Sequence, residues 1–225
     1  MSLKAVLFWD LDGTLLLTGR AGLFAFEEAL EEVTGTSVSL EDVSTPGFTD
    51  AGVARLVLEH AGHPADPEAV EAVLRSYERR LPDSLPRRQG RVLEGIREVL
   101  EDLQGRDDVR SYLLTGNTPA GARAKLRHYD LDRFFPEGEG AFCIDHGPRV
   151  DIARRASLLA EGAEAVYVIG DTPADVECGK AIGARTVAVA SGWHSVEQLT
   201  ATEPGLVLER IPDPVTFRGL LGLDE

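Results

Sequence analysis

Positive charge is what this chain most lacks. Lys and Arg together number 23 against 38 Asp and Glu, a formal net charge of −15, and a surface of that sign repels nucleic-acid phosphates and anionic lipid alike. No nucleic acid and no membrane surface is expected as a partner. Cysteine is nearly absent: Cys143 and Cys178 are too few for a disulfide framework and lack the His-Cys spacing of a zinc site. A reducing, cytoplasmic setting fits that usage. Long hydrophobic runs are missing as well. The first apolar stretch, Ala5 to Trp9, ends at an acid, so the sequence predicts neither a secretory signal nor a transmembrane segment.

What remains is an ordinary globular composition, 43% apolar and 27% charged over 225 residues, which excludes collagen-like and wholly disordered chains. That length exceeds one typical domain and falls short of two, so a catalytic domain with a smaller accessory domain is expected.

Short continuous apolar runs at Ala5 to Trp9, Val109 to Leu114, Ala165 to Ile169 and Thr186 to Ala190 have the character of strands buried on both faces. Between them lie segments with apolar spacing of three and four, such as Ile96, Val99, Leu100 and Leu103. Alternating strands and helices predict an α/β fold, a doubly wound, Rossmann-like parallel sheet whose ligand site lies beyond the carboxyl ends of the strands. The runs end in Asp10, in Thr115-Gly116-Asn117, in Gly170-Asp171 and in Ser191-Gly192, which brings polar groups to one edge.

Residues 18–88 read differently, as helices over Ala21 to Val33, Ala51 to Ala61 and Pro67 to Arg80 with no strand between them. The expected organisation is a core of residues 1–17 and 89–225 interrupted by an all-helical insertion at 18–88. Pro82, Pro86 and Gly90 punctuate the return, with Arg87-Arg88 read as a solvated linker.

The string Phe8-Trp9-Asp10-Leu11-Asp12-Gly13-Thr14-Leu15 resembles the first motif of the haloacid dehalogenase-like hydrolase superfamily. Leu113-Leu114-Thr115-Gly116-Asn117 is similar to its second motif and Ile169-Gly170-Asp171-Thr172-Pro173-Ala174-Asp175 to its acidic fourth. The helical insertion is similar to the family's small cap domain, so the resemblance spans the chain. It implies a magnesium-dependent phosphatase, most similar to the phosphoglycolate phosphatase branch, that acts through an aspartyl phosphate on a small phosphorylated metabolite. Asp10 is then the nucleophile and Asp12 the acid and base, since a departing alcohol, unlike a halide, needs a proton. Magnesium prefers oxygen ligands, which Asp10, the Asp12 backbone carbonyl and Asp171 supply, with Asp175 behind them orienting a water or a basic residue. Thr115 and the amides around Gly116 and Asn117 are placed for phosphoryl oxygens.

The third motif departs from the pattern. The family usually has a Lys before the helix that leads to the fourth motif, whereas here the segment reads Asp145-His146-Gly147-Pro148-Arg149. Arg149 is the expected substitute, His146 a weaker one, and Lys125 and Lys180 read as helix-surface residues. Thr49 and Asp50 occupy the stretch that resembles the substrate-facing loop of the cap, with Arg20 near the first hinge as a donor to a substrate carboxylate and Trp193-His194 near the pocket rim. Two other functions fit much of the pattern. One is a phosphosugar mutase of the same superfamily. The other is a non-enzymatic phospho-accepting signalling domain, although such receivers lack a helical insertion after the first strand. The substrate itself and the oligomeric state are not encoded in these motifs.

Overall fold

The structure, a computed structural model, describes residues 2–145 and 147–224. His146, the weaker third-motif candidate, lies outside the described residues.

Strand β1 (Leu3–Trp9) forms where the apolar run stands, and Ala5 through Trp9 are fully buried. A two-residue strand β2 (Leu16–Leu17) precedes three helices, α1 (Ala21–Thr34), α2 (Asp50–His60) and α3 (Pro67–Ser84). The chain returns through β3 (Arg91–Val92) and alternates through α4 (Ile96–Gln104), β4 (Val109–Leu113), α5 (Pro119–His128) and α6 (Arg149–Ala156). It then runs through β5 (Ala163–Gly170), α7 (Pro173–Ala181), β6 (Arg185–Val189), α8 (Val196–Thr200), β7 (Leu206–Leu208) and α9 (Pro214–Leu221).

All five strands of the main sheet are parallel, in the order β4-β1-β5-β6-β7. This is the expected Rossmann-like α/β core, with β7 as an edge strand too short to stand out in the sequence. β1 lies between β4 on one side and β5 on the other, so the residue after Trp9 emerges beside the ends of both neighbours. That topology explains why residues as far apart in the chain as Asp12 and Asn117, separated by 105 positions, meet at one edge.

Helices α1 and α3 pack on one another through a face-to-face stack of Phe26 on Tyr77, with ring centroids 3.9 Å apart, and through a hydrogen bond from Ser84 Oγ to the Ala21 carbonyl at 2.9 Å. Asp66 caps α3 by accepting from the Ala69 amide, and Pro67 follows where a missing N–H does no harm. α3 runs past the expected stop at Pro82 and ends only at Ser84. Proline in the last turn removes one helical hydrogen bond rather than breaking a long ladder, and buried Leu81, Ser84 and Leu85 hold the turn in place. The Arg87-Arg88 pair is likewise no free linker: Arg87 bridges to Glu28 at 2.9 Å, and the Arg88 guanidinium lies 3.2 Å from the Phe24 ring centroid. The two ends of the helical segment are tied together by an antiparallel pairing of Leu16 with Val92 and Leu17 with Arg91. Among the described residues no helix is long and apolar enough to cross a membrane.

Candidate active site

Strand β1 ends at Trp9, and the turn that follows sends the two acids of the first motif in different directions. Asp10 is buried, and one of its carboxylate oxygens accepts from Arg149 at 2.8 Å. Asp12 instead points to a second group of polar residues and keeps a half-exposed side chain. In a continuing strand residues two apart would share a side, but the turn over Leu11–Leu15 breaks that period of two.

Arg149 stands at the first position of α6, and its guanidinium also donates to Asp175 at 2.5 Å. Asp175 is held on its other side by α7: Thr172 and Asp175 form a reciprocal capping box, in which Asp175 accepts from the Thr172 amide at 3.0 Å and hydroxyl at 2.7 Å. Asp171, at the end of β5, accepts a long hydrogen bond from the Thr14 hydroxyl at 3.3 Å, while its other carboxylate oxygen is buried without a partner. A carboxylate oxygen from each of Asp10, Asp171 and Asp175 can be chosen so that all lie within 4.8 Å of one another.

Burial pushes the Asp10 carboxyl up to about 7 despite the pull of Arg149. Burial, with Asp175 and Asp10 nearby, pushes Asp171 up to about 8. One guanidinium among three buried carboxylates leaves an excess of negative charge, which is costly unless a cation offsets it. The donor set is all oxygen, the pattern of a hard divalent ion such as magnesium. Close backbone approach makes the room: a Cβ on Gly13, where φ is +89°, would lie 2.4 Å from an Asp171 oxygen, and one on Gly192 would lie 1.8 Å from it. The residues present therefore fit a divalent cation at Asp10 and Asp171.

The second group contains a residue the sequence did not single out. Lys125, read as a helix-surface residue, is buried, and its Nζ donates to Asp12 at 2.5 Å and to the Asn117 side-chain carbonyl at 2.6 Å. The Asn117 amide donates to the same Asp12 oxygen at 2.9 Å and to Thr115 Oγ1 at 2.8 Å. Thr115 and Asn117 thus line the cavity in a fixed arrangement. Lys180, the other lysine read as superficial, is exposed and donates to the Thr202 carbonyl.

Thr49 and Asp50 do not form an open loop. Thr49 caps α2 by accepting from Gly52, and Asp50 is the first residue of that helix. The Asp50 amide donates to the Gly116 carbonyl at 2.7 Å, and the Asp50 carboxylate accepts from the Thr118 amide at 2.7 Å. These reciprocal bonds join the start of α2 to the loop after β4. Gly116 permits the approach, since a Cβ there would lie 2.6 Å from the Phe48 carbonyl oxygen. Burial pushes the Asp50 carboxyl up to about 7, against the pull of Lys125. Arg20 reaches the cavity wall while one of its terminal nitrogens is held by the carbonyls of Leu40 and Glu41, at 2.7 and 2.9 Å. Trp193 lines the same cavity and is largely exposed, so it stands at the rim rather than in the core. The cavity has a volume of about 350 Å³ and is walled by both groups of acids and by side chains of α1, α2 and α3.

Comparison with known proteins agrees with this architecture. Residues 6–189 match the model of the family described as haloacid dehalogenase-like hydrolase. A protein of Dickeya dadantii named "Probable phosphatase IndB" is 30% identical, over 95% of this chain and 93% of its own. Pyrophosphatase PpaX of Listeria monocytogenes is 26% identical, over 92% and 93% respectively. The crystal structure of CbbY from Rhodobacter sphaeroides in complex with phosphate superposes with a TM-score of 0.74 at 20% identity, over 100% of both chains.

Proposed function

The chain belongs to the haloacid dehalogenase-like hydrolases, and from that premise we propose that it is a magnesium-dependent phosphatase that hydrolyses a small phosphomonoester through an aspartyl phosphate on Asp10. The observation that carries this reading is the pairing of a buried Asp10, salt-bridged to Arg149, with an unpartnered oxygen of Asp171 in the same all-oxygen cluster.

The residues divide the work. Asp10 attacks phosphorus, and the bond to the substrate's ester oxygen breaks as the Asp10–phosphorus bond forms. Asp12 gives its proton to the departing oxygen, which leaves as the alcohol. Asp12 then takes a proton from the water that attacks phosphorus, and inorganic phosphate departs from Asp10. Asp10, the Asp12 carbonyl and Asp171 would hold magnesium, which when bound neutralises phosphate charge so that an anionic nucleophile can approach. Arg149 orients Asp10 and Asp175 and stays charged throughout. The Thr115 hydroxyl and the amides around Gly116 and Asn117 would donate to phosphoryl oxygens.

A cavity of about 350 Å³ suits a small monoester, and 2-phosphoglycolate is the first compound to test, with Arg20 as the donor to its carboxylate. The phosphatase names of the relatives support the reaction class. The test is a screen of phosphorylated metabolites at matched concentration for phosphate release with and without magnesium, with no bisphosphate activator added. Release from at least one small monoester, dependent on magnesium, is expected. Phosphate transfer between sugar hydroxyls only in the presence of a bisphosphate would instead identify a mutase.

A further inference from the structure

Helix α5 carries Arg123, Lys125 and Arg127 at alternate positions, and only Lys125 is withdrawn from solvent, with its side chain 5% exposed. Gly121, one turn earlier on the same face, has no side chain, and the Asp50 carboxylate and the Tyr77 ring close over it. A buried ammonium is expensive unless it is paired, and an apolar side chain of similar length would fill the space at lower cost. Lys125 instead places its charge on a carboxylate that is itself 41% exposed.

The geometry at that carboxylate is one-sided. Lys125 Nζ at 2.5 Å and Asn117 Nδ2 at 2.9 Å both donate to Asp12 Oδ2, and Lys125 and Asn117 are joined to each other at 2.6 Å. This closed triangle fixes one Asp12 oxygen from two directions and takes up none of the other, on a side chain that lines the cavity. We propose that Lys125 is a positioning residue for the reaction: with Asn117 it fixes the rotamer of Asp12, so that the remaining oxygen exchanges protons first with the leaving group and then with the attacking water. The inference rests on the phosphatase reading above and adds a residue outside the family motifs found in the sequence.

A purely structural lysine and a positioning lysine differ in which step they slow. With 4-nitrophenyl phosphate the leaving phenolate needs no proton, so loss of Asp12 alignment spares formation of the phosphoenzyme and impairs its hydrolysis. Lys125→Met, checked for fold by circular dichroism and thermal melting, is expected to release one equivalent of nitrophenol in a burst. A steady rate about a hundredfold below wild type should follow, the scale of cost for a displaced catalytic group, with KM falling alongside it because hydrolysis of the phosphoenzyme has become the slow step. Acid-quenched Lys125→Met should carry one phosphoryl group by mass spectrometry, and Lys125→Arg should recover a large part of the steady rate.

A Lys125→Met enzyme without a burst and within about threefold of wild type, well under one catalytic factor of ten, overturns the inference and leaves the phosphatase reading standing. A slowed enzyme without a burst, in which Arg serves no better than Met, overturns it as well. If Lys125→Met does not fold, Lys125→Leu, which likewise has no donor, is subjected to the same burst measurement and judged by the same criteria. Wild-type protein that releases no phosphate from any monoester overturns both the parent reading and this one.

Discussion

The acids at the carboxyl edge of the sheet fall into two sets that differ in charge balance. Around Arg149 stand Asp10, Asp171 and Asp175, all buried, and one Asp171 oxygen has no partner. Around Lys125 stand Asp12 and Asp50, where Asp12 takes an ammonium and an amide and Asp50 takes the Thr118 amide. The first set is short of positive charge and the second is nearly satisfied by the protein itself. That difference separates the roles: the first set suits a divalent ion and a nucleophile, and the second suits a held carboxylate that trades protons and a contact between helical segment and core.

The largest effect expected is the dependence of the first set on a cation. Chelation of divalent ions should reduce phosphate release to background, and magnesium added back should restore it. Magnesium should also raise the thermal midpoint of the folded protein, by an increment worth about 2.7 kcal/mol at a free concentration near a hundred times its dissociation constant. Asp171→Asn should lose both the activity and the increment. A midpoint indifferent to magnesium in the wild type would mean that the first set is balanced by other means.

Arg149→Ala removes the guanidinium of the first set and should lower kcat/KM about a hundredfold, roughly 3 kcal/mol of barrier. It should also destabilise the metal-free protein by about 3–5 kcal/mol, because Asp10 and Asp175 are left facing each other. Activity within about a factor of two of wild type would show that the reaction draws its cation from elsewhere.

The smallest effect concerns Asp50, whose folded carboxyl titrates near 7 against an ordinary value of 3.8. Between those values the folded state binds more protons than the unfolded one, so this group's contribution to stability is full below about 4 and is lost as pH rises through about 7. Asp50→Asn keeps an acceptor for the Thr118 amide and abolishes that loss. Its stability relative to wild type, from denaturant midpoints, should therefore grow between pH 5 and pH 8 by on the order of 1–3 kcal/mol. A difference that stays constant with pH would mean that Asp50 is solvated in the folded protein.

The core of this arrangement is legible in the sequence because it is local. A buried strand must be a continuous apolar run, and the residue that ends it is thereby placed at the sheet edge, so the sequence alone groups Asp10, Thr115 and Asp171. Arg149 is legible only through the family resemblance, since it opens a helix in the segment where the family usually has a lysine. Lys125 is not, since Arg-Ala-Lys-Leu-Arg reads as a solvated face, and only the packing of α5 against the helical segment turns one of those cations inward. The Asp50 carboxylate reads as a substrate contact because nothing in the sequence reveals a hydrogen bond to an amide 68 residues away. The pairing of β2 with β3 is silent in the sequence because two-residue strands carry no periodicity.

The central claim is that phosphate passes through Asp10 while Asp12 handles the protons. Asp12→Asn incubated with magnesium and 4-nitrophenyl phosphate, quenched in acid and digested, tests it most directly. A phosphoryl group is expected on the peptide that contains Asp10, absent when Asp10→Asn is combined with it. A phosphoryl group on any other residue, or an Asp10→Asn enzyme that turns over near the wild-type rate, would contradict it.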